Sequence, residues 1–143
     1  MLRLGSFKSI SKRLVQYRCK VTEARIDELG LVLPTINPPK GNYISFLKVG
    51  NMVYLSGHLP IPAEGDMVTG RLGESLNTKQ GYEAAKLCGL QMIATLKINL
   101  GDLDKIKQVV KVNGFVNSTD TFTEQATVMN GCSDLFHQVM YKL

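Results

Sequence analysis

The longest helical pattern in this chain lies between residues 78 and 100, and it restricts the fold more than any other feature. Asn77 and Gln80 have the spacing of a capping box at its start, and Gly101 follows its end, where a left-handed residue is common. One apolar stripe runs along this segment, formed by Tyr82, Ala85, Gly89, Met92, Ile93, Leu96 and Leu100. Such a stripe requires an apolar partner layer, and Gly89 within it predicts the close approach of a neighbouring backbone.

Two β-rich runs precede this helix, and a third follows it. Residues 43–49 and 52–56 flank Gly50 and Asn51, a dipeptide that suits a tight hairpin turn. Residues 106–117 alternate apolar with polar side chains, which predicts a third strand. Because a helix between two strands makes a crossover, we expect the helices to lie on one face of a sheet.

Two further helices are predicted, one at each end of the folded region. Thr22 is the predicted cap of a short helix that ends at Gly30. Thr121 and Glu124 have capping-box spacing at the start of the last helix. The order of hairpin, helix, strand and helix predicts an α/β (α+β) fold with a mixed sheet and helices on one face.

The sequence ends at Leu143, soon after this last helix, where a returning strand is expected. We therefore expect an apparently truncated sheet with an open edge beside residues 106–117. On the same ground, Phe136, Val139 and Met140 are predicted to be partly exposed on the last helix.

The net charge of +5 comes from the N-terminal segment. Residues 1–22 carry six of the 17 Lys and Arg residues and no acid, whereas the rest of the chain carries 11 basic against 12 acidic residues. A basic amphipathic start predicts a mitochondrial transit peptide over residues 1–20, with the domain at 21–143. The alternatives are a disordered basic tail or a mistaken start site, which leave the protein cytoplasmic. The near-neutral domain disfavours nucleic acid as a partner, and no apolar run is long enough for a membrane helix.

Few side chains form a pattern that carries chemistry. His58 and His137 share no metal-binding spacing with carboxylates, so no metal site is predicted and each histidine is assigned a surface or packing role. Cys88 and Cys132 lie within or beside the apolar helix stripes, which predicts buried, inert thiols.

Three polar residues each have a functional and a structural interpretation. Arg71 could clamp a carboxylate, or it could be a solvated loop charge. Tyr43 could supply a binding hydroxyl, or it could pack as an aromatic strand residue. Asn130, beside the apolar stripe of the last helix, could bind a substrate, bridge subunits or have a structural role.

Six segments of the chain occur in a recognisable order between residues 21 and 141. They are EARIDELG at 23–30, PPKGNY at 38–43, VYLSGHLP at 53–60, EAAK at 83–86, LGDLDKIKQVVKVNGFVNS at 100–118 and FTEQATVMNGCSDLF at 122–136. On these segments the chain resembles the RidA family, also called YjgF-like proteins. Its start is similar to that of the subgroup with an added N-terminal helix.

The resemblance implies a chorismate-mutase-like fold, assembled as a homotrimer or a mixed trimer with clefts between subunits. It implies hydrolysis of reactive enamines and imines, such as 2-aminoacrylate, 2-iminopropanoate and 2-iminobutanoate, to 2-keto acids and ammonia. No cofactor is implied. A non-catalytic binding or assembly subunit is one alternative. An RNA-directed, ribonuclease-like role is another, because such activity is attributed to some relatives.

The resemblance also assigns residues to the pocket, namely Tyr43, Ser56, Gly57 and Asn130 as substrate-binding positions. The family's carboxylate-binding arginine and its water-handling glutamate lie on strands after the last helix, where this sequence has no counterpart. The catalytic residues of this chain are therefore unknown, and we expect a hydrolase whose activity depends on a segment that this sequence lacks.

Overall fold

The computed structural model describes residues 21–36, 38, 39 and 41–140, and the leader predicted over residues 1–20 lies outside them. The elements in order are helix α1 (Val21–Glu28), strands β1 (Phe46–Val49) and β2 (Met52–Leu55), helix α2 (Thr78–Leu100), a 3₁₀ helix (Leu103–Lys105) and helix α3 (Gln125–Met140). This arrangement of three α-helices and a small antiparallel sheet confirms the predicted α+β class. Within the described residues, no helix combines the length and apolar character required to cross a bilayer.

Helix α2 has the predicted limits. The Asn77 side chain accepts a hydrogen bond from the Gln80 backbone at 2.9 Å, and the Gln80 side chain accepts one from the Asn77 backbone at 2.9 Å. At the other end Gly101 has a φ of 74° and donates its N–H to the Lys97 carbonyl at 2.8 Å. Both ends of the helix therefore satisfy backbone groups that a bare terminus leaves unpaired.

Strands β1 and β2 form the predicted hairpin, with Phe46 opposite Leu55 and Val49 opposite Met52. Gly50 makes the turn with a φ of 57°, a conformation that other L-residues avoid. The inner side chains pack against the core, and they are Phe46, Val53 and Leu55. The outer side chains are apolar as well and are exposed, and they are Leu47, Val49, Met52 and Tyr54.

Helices α2 and α3 pack closely at glycine positions. A Cβ atom at Gly89 would lie only 2.8 Å from Leu135 Cδ2 and 3.3 Å from Cys132 Sγ, which confirms the close approach predicted there. At Gly131 a Cβ atom would overlap the carbonyl oxygen of Tyr82. The missing side chains allow the two helices to bury the core between them.

Helix α3 begins at Gln125, so the prediction of a start at Thr121 with a capping box was wrong. The Glu124 carboxylate accepts a hydrogen bond from Thr78 Oγ1 at 2.6 Å. Gln125 Nε2 donates to the Phe122 carbonyl at 2.7 Å. The Glu124 bond connects the start of α3 to the start of α2, whereas the Gln125 bond is local, and together they replace the cap that the spacing predicted.

Thr22 is also bonded differently from the prediction. Helix α1 already includes Val21, so Thr22 is not its cap. The Thr22 hydroxyl donates to Asp104 Oδ1 at 2.6 Å, and the Thr22 N–H donates to the same atom at 3.0 Å. The residue therefore fastens α1 to the 3₁₀ helix rather than satisfying its own helix end.

Residues 106–117 form no strand, so the prediction of a third strand was wrong. The segment still packs side chains against the core, but they do not alternate, because Val109 is among them and Val110 is exposed. The packed side chains are Ile106, Val109, Val112 and Val116. Their neighbours face outward, with Phe115 98% exposed. Regular pairing occurs only at the end of this segment, where Leu72 donates its N–H to the Asn117 carbonyl at 2.9 Å. A strand needs a hydrogen-bonded neighbour along its length, so the described sheet has two strands and is antiparallel.

The apolar face of helix α3 is more deeply buried than the sequence analysis predicts. Phe136 and Val139 are buried, and Met140 is partly buried against the core, so the predicted exposure of the first two was wrong. Helix α3 packs on α2 along its length and on α1 near its end, where Arg25 Nε donates to the Gln138 carbonyl at 3.2 Å. The N-terminal helix therefore covers the face that was expected to be open.

Candidate functional site

The polar segment 56–58 leaves the hairpin directly after β2. The Ser56 N–H donates to the Ser45 carbonyl at 3.2 Å, which continues the ladder by one residue. Ser56 Oγ is inaccessible to solvent and has no hydrogen-bond partner in the part of the chain that the structure describes. A buried hydroxyl without a partner costs about 1–3 kcal/mol, so this atom is a natural point of contact for a ligand.

Gly57 gives the segment an open side. The residue is exposed, and a Cβ atom placed on it would meet no heavy atom within 4 Å. Any side chain here would occupy the space beside Ser56, so the glycine leaves the backbone accessible to a small molecule.

Both ring nitrogens of His58 form hydrogen bonds that fix this segment against helix α2. Nδ1 lies 2.8 Å from the Ser56 carbonyl oxygen, and Nε2 lies 2.9 Å from Thr95 Oγ1 in helix α2. Burial lowers the pKa of the His58 imidazole, and the hydrogen bond to the Ser56 carbonyl opposes this effect only in part. The imidazole is therefore neutral at physiological pH, and the packing role expected for it includes two specific hydrogen bonds.

Tyr43 lies at the same end of the hairpin. Strand β1 begins only at Phe46, and Tyr43 lies before it in a bend where its N–H donates to the Gly41 carbonyl at 3.0 Å, so the strand predicted from residue 43 starts three residues later. The Tyr43 side chain is 52% exposed. Of the residues assigned to the pocket by resemblance, Ser56 and Gly57 are adjacent after β2, and Tyr43 precedes β1 at the same end of the hairpin.

Asn130 is separate from that group. It is exposed on helix α3, which packs on α1 and α2 rather than on the hairpin strands. One turn further on, Ser133 Oγ donates to the Asn130 carbonyl at 3.3 Å. Within one described chain, the Asn130 side chain and the hairpin end form two distinct surfaces.

Arg71 contacts its own loop and the segment that precedes helix α3. Its Nε donates to the Ser118 carbonyl at 3.2 Å, and its terminal nitrogens lie 3.9 Å from Glu74 and 4.0 Å from Asp120. These carboxylates already balance its charge at the surface. The geometry therefore favours the solvated loop charge over the carboxylate clamp, and such exposed pairs contribute about 0–1 kcal/mol.

Comparisons with known proteins decide the family. Residues 23–142 match the family model described as "YjgF/chorismate mutase-like, putative endoribonuclease". The chain belongs to the YjgF family. It is 45% identical over 116 residues to Protein TCP17 of Trypanosoma cruzi, a match that covers 81% of this chain and 72% of that protein.

Two solved structures show the same YjgF fold. One is the crystal structure of "a putative endoribonuclease" from Shewanella oneidensis, with a TM-score of 0.80 and 32% identity over 83% of this chain and 79% of that one. The other is a protein of unknown function from Agrobacterium tumefaciens, with a TM-score of 0.78 and 38% identity over 90% of this chain and 81% of that one.

The described cysteines of this YjgF domain are structural. Burial raises the pKa of both the Cys88 and the Cys132 thiols to about 11, and the negative charge that Cys88 can carry adds to the shift at Cys132. Both thiols are therefore protonated and weakly nucleophilic at neutral pH, as the sequence predicted. Across the described residues, no three potential metal ligands come together.

Sequence reasoning missed the hydrogen bonds that hold residues 58–61. Thr95 is 1% exposed, and Gln91, one turn earlier, donates its Nε2 to the Ile61 carbonyl at 2.8 Å. Two buried polar residues four apart on an apolar helix are a detectable signal, because each must find a partner. In this YjgF chain their partners are His58 and Ile61, in the loop that follows the site.

Proposed function

We propose that this YjgF-family chain hydrolyses small enamines and imines derived from amino acids, such as 2-iminopropanoate, to 2-keto acids and ammonia. The observation that carries the proposal is the buried, unpartnered hydroxyl of Ser56 beside the open backbone of Gly57. The family resemblance assigns both residues, together with Tyr43 and Asn130, to the substrate pocket.

The reaction needs a positioned water and a held carboxylate. The oxygen of water bonds to the imine carbon while a proton moves from that water to the nitrogen, which gives a carbinolamine. The C–N bond then breaks as the hydroxyl proton passes to the nitrogen and the C=O bond forms, which releases ammonia and the keto acid. Holding both reactants in one geometry supplies much of the acceleration. The hydroxyl groups of Ser56 and Tyr43 can donate to the substrate carboxylate, which only accepts hydrogen bonds.

Ser56 can reach a substrate by a side-chain rotation. The residue as a whole is partly exposed although its Oγ is buried, so a different χ1 rotamer moves the hydroxyl towards the open side of Gly57. A hydroxyl that gives up no hydrogen bond when it turns loses little by doing so.

We propose further that the protein works as a homotrimer. The outer face of the hairpin is an apolar surface that a single chain leaves exposed, formed by Leu47, Val49, Met52 and Tyr54. Assembly also accounts for the separation of Asn130 from the hairpin end, because α3 of one subunit can face the hairpin of the next. A mixed trimer with a related chain would use the same surfaces.

The function is tested by generating 2-iminopropanoate from alanine with an amino acid oxidase and following its capture by semicarbazide. The protein at its full natural length is expected to reduce the capture by hydrolysing the imine first. Ser56→Ala should lower kcat/KM about tenfold, which corresponds to about 1.4 kcal/mol, and Tyr43→Phe should lower it less.

Matched controls separate these effects from general damage. Ser133→Ala removes an exposed hydroxyl from α3, and Tyr54→Phe removes one from the outer hairpin face, so both should retain wild-type rates in dilute enzyme assays. A stable wild-type protein without turnover would contradict the proposal and would support a non-catalytic subunit.

Cleavage of RNA is the competing function, because the family description and the Shewanella oneidensis structure carry that name. The charge distribution weighs against it, since the chain after residue 22 has 11 basic and 12 acidic residues. RNA cleavage by a chain without residues 1–20, at a rate above that of imine hydrolysis, would replace the proposed function.

The basic segment 1–20 supports a mitochondrial location, with the cytoplasm as the alternative. A fluorescent protein fused after residue 20 is expected to enter mitochondria. Uniform cytoplasmic fluorescence would show that the segment does not direct import.

A further inference from the structure

His58 is placed to control the backbone of the proposed site. It is the second residue after Ser56, and its two ring nitrogens join the Ser56 carbonyl to Thr95, which lies near the C-terminal end of helix α2. Thr95 is almost fully buried. The His58 imidazole therefore links a buried residue of the core, Thr95, to the Ser56–Gly57 peptide of the proposed site.

The hydrogen-bond partners of His58 determine which ring nitrogen carries the proton. A carbonyl oxygen can only accept, so the Nδ1 atom of His58 carries the hydrogen and donates to Ser56. In the neutral ring Nε2 then has only a lone pair, so the Thr95 hydroxyl donates to it. The lowered pKa of His58 agrees with this neutral form.

We propose that His58 is a positioning residue that holds the Ser56–Gly57 peptide in its working orientation. The inference rests on the proposed function and adds to it a residue that does not touch the substrate. Ser56 makes the last ladder bond of the hairpin, and the next residue is a glycine without a side chain to pack. Holding such a residue in one conformation costs backbone entropy, which the His58 hydrogen bonds offset.

The neighbouring contact of α2 shows that this segment is held at more than one point. Gln91, one helical turn before Thr95, donates to the Ile61 carbonyl at 2.8 Å. The loop from His58 to Ile61 is therefore tied to one buried side of α2 at both ends. Of the two contacts, only the one through His58 reaches a site residue.

Three substitutions separate the two bonds of His58. In His58→Asn the amide can take the place of Nδ1 and donate to Ser56, but it cannot reach Thr95. In His58→Gln the amide can reach Thr95, but the donor to Ser56 is lost. Thr95→Val removes the hydroxyl and keeps the shape of the side chain.

The expected order of activity follows from the bond to Ser56. His58→Gln should lower kcat about tenfold with KM changed less than threefold, whereas His58→Asn should restore kcat to within about threefold of the wild type. Thr95→Val should fall between them. The matched control is Asn99→Ala, because Asn99 Nδ2 donates to the carbonyl of Thr95 and not to its hydroxyl, and it should retain wild-type kcat.

Two NMR readouts decide the proposal without reference to turnover. The ¹⁵N shifts of His58 at neutral pH should show the proton on Nδ1, and a proton on Nε2 would overturn the proposal. The backbone order parameter of Gly57 should fall in His58→Gln and stay unchanged in His58→Asn and Asn99→Ala. Equal order parameters in all variants would also overturn it.

The two proposals can fail separately. If the wild type hydrolyses no imine while both NMR results are as expected, the proposed function fails and His58 still positions the Ser56–Gly57 peptide. If the wild type is active and His58→Gln retains full kcat and a rigid Gly57, the function stands and the role of His58 is refuted.

Discussion

The helical half of the molecule and the hairpin half differ in how much of their apolar surface is buried within one chain. Helices α2 and α3 bury their apolar faces against each other, with glycines at the crossing and Leu135 1% exposed. The hairpin buries only its inner face and leaves Leu47 48% exposed on the other. Burial within one chain holds the fold, whereas the unsatisfied apolar and polar groups of the hairpin are those at which we propose that a substrate and other chains bind.

The largest effect is expected where Leu135 fills the space above Gly89. Leu135→Ala should lower the free energy of unfolding by about 2–5 kcal/mol, because the rigid helix pair cannot close the cavity. Leu47→Ala, at the exposed hairpin face, is the control and should change it far less in the dissociated chain. Urea denaturation measures both. Equal losses would show that the two halves are packed alike.

A smaller loss is expected from Gly131→Ala at the helix crossing. Alanine is a better helix former than glycine by about 1 kcal/mol, which alone would stabilise α3. The new methyl group would instead overlap the Tyr82 carbonyl oxygen and push the helices apart, at a cost of about 1–3 kcal/mol. We expect net destabilisation in urea, with Ser133→Ala on the outer side of α3 nearly neutral. A gain in stability would show that the crossing is loose.

The pH dependence tests the link between the two halves. The pKa of His58 is lower in the folded chain than its ordinary value of 6.5, so the unfolded chain binds more protons between the two values. The free energy of unfolding should therefore fall as the pH is lowered through 6.5, by less than about 1.4 kcal/mol per pH unit. His58→Gln should reduce this slope, and Asn99→Ala, which leaves the imidazole and the Thr95 hydroxyl in place, should preserve it. Identical slopes for wild type and His58→Gln would contradict the assignment.

The sequence predicts best those features that a short stretch of chain determines alone. The limits of α2 follow from Asn77, Gln80 and Gly101, which act within one turn of each helix end. The hairpin follows from Gly50, which takes the left-handed conformation that the turn requires. In both cases the residues that specify the structure are also the residues that form it.

Predictions failed where a distant partner determined the outcome. Thr22 and Glu124 have the side chains of helix caps, but they bond to Asp104 and Thr78, which lie far away in the sequence. Residues 106–117 have the alternation of a strand, but no described strand pairs with them along their length, and the alternation is not kept because Val109 rather than Val110 packs against the core.

The candidate site was predictable in part for the same reason. Tyr43, Ser56 and Gly57 were assigned by resemblance, and the limits of the hairpin strands place Ser56 and Gly57 directly after β2 and Tyr43 shortly before β1. The contribution of His58 depends on Thr95, which lies 37 residues away in the sequence, so no local pattern revealed it.

The contrast between the two halves is tested most directly by the molar mass of the protein in solution. Light scattering after size exclusion should give three copies of the 15.8 kDa chain for the wild type. Leu47→Lys should give single chains with the helical signal intact, because a charge cannot be buried at the apolar outer face of the hairpin. A wild type that stays monomeric at every concentration, with that face left in water, would contradict the account.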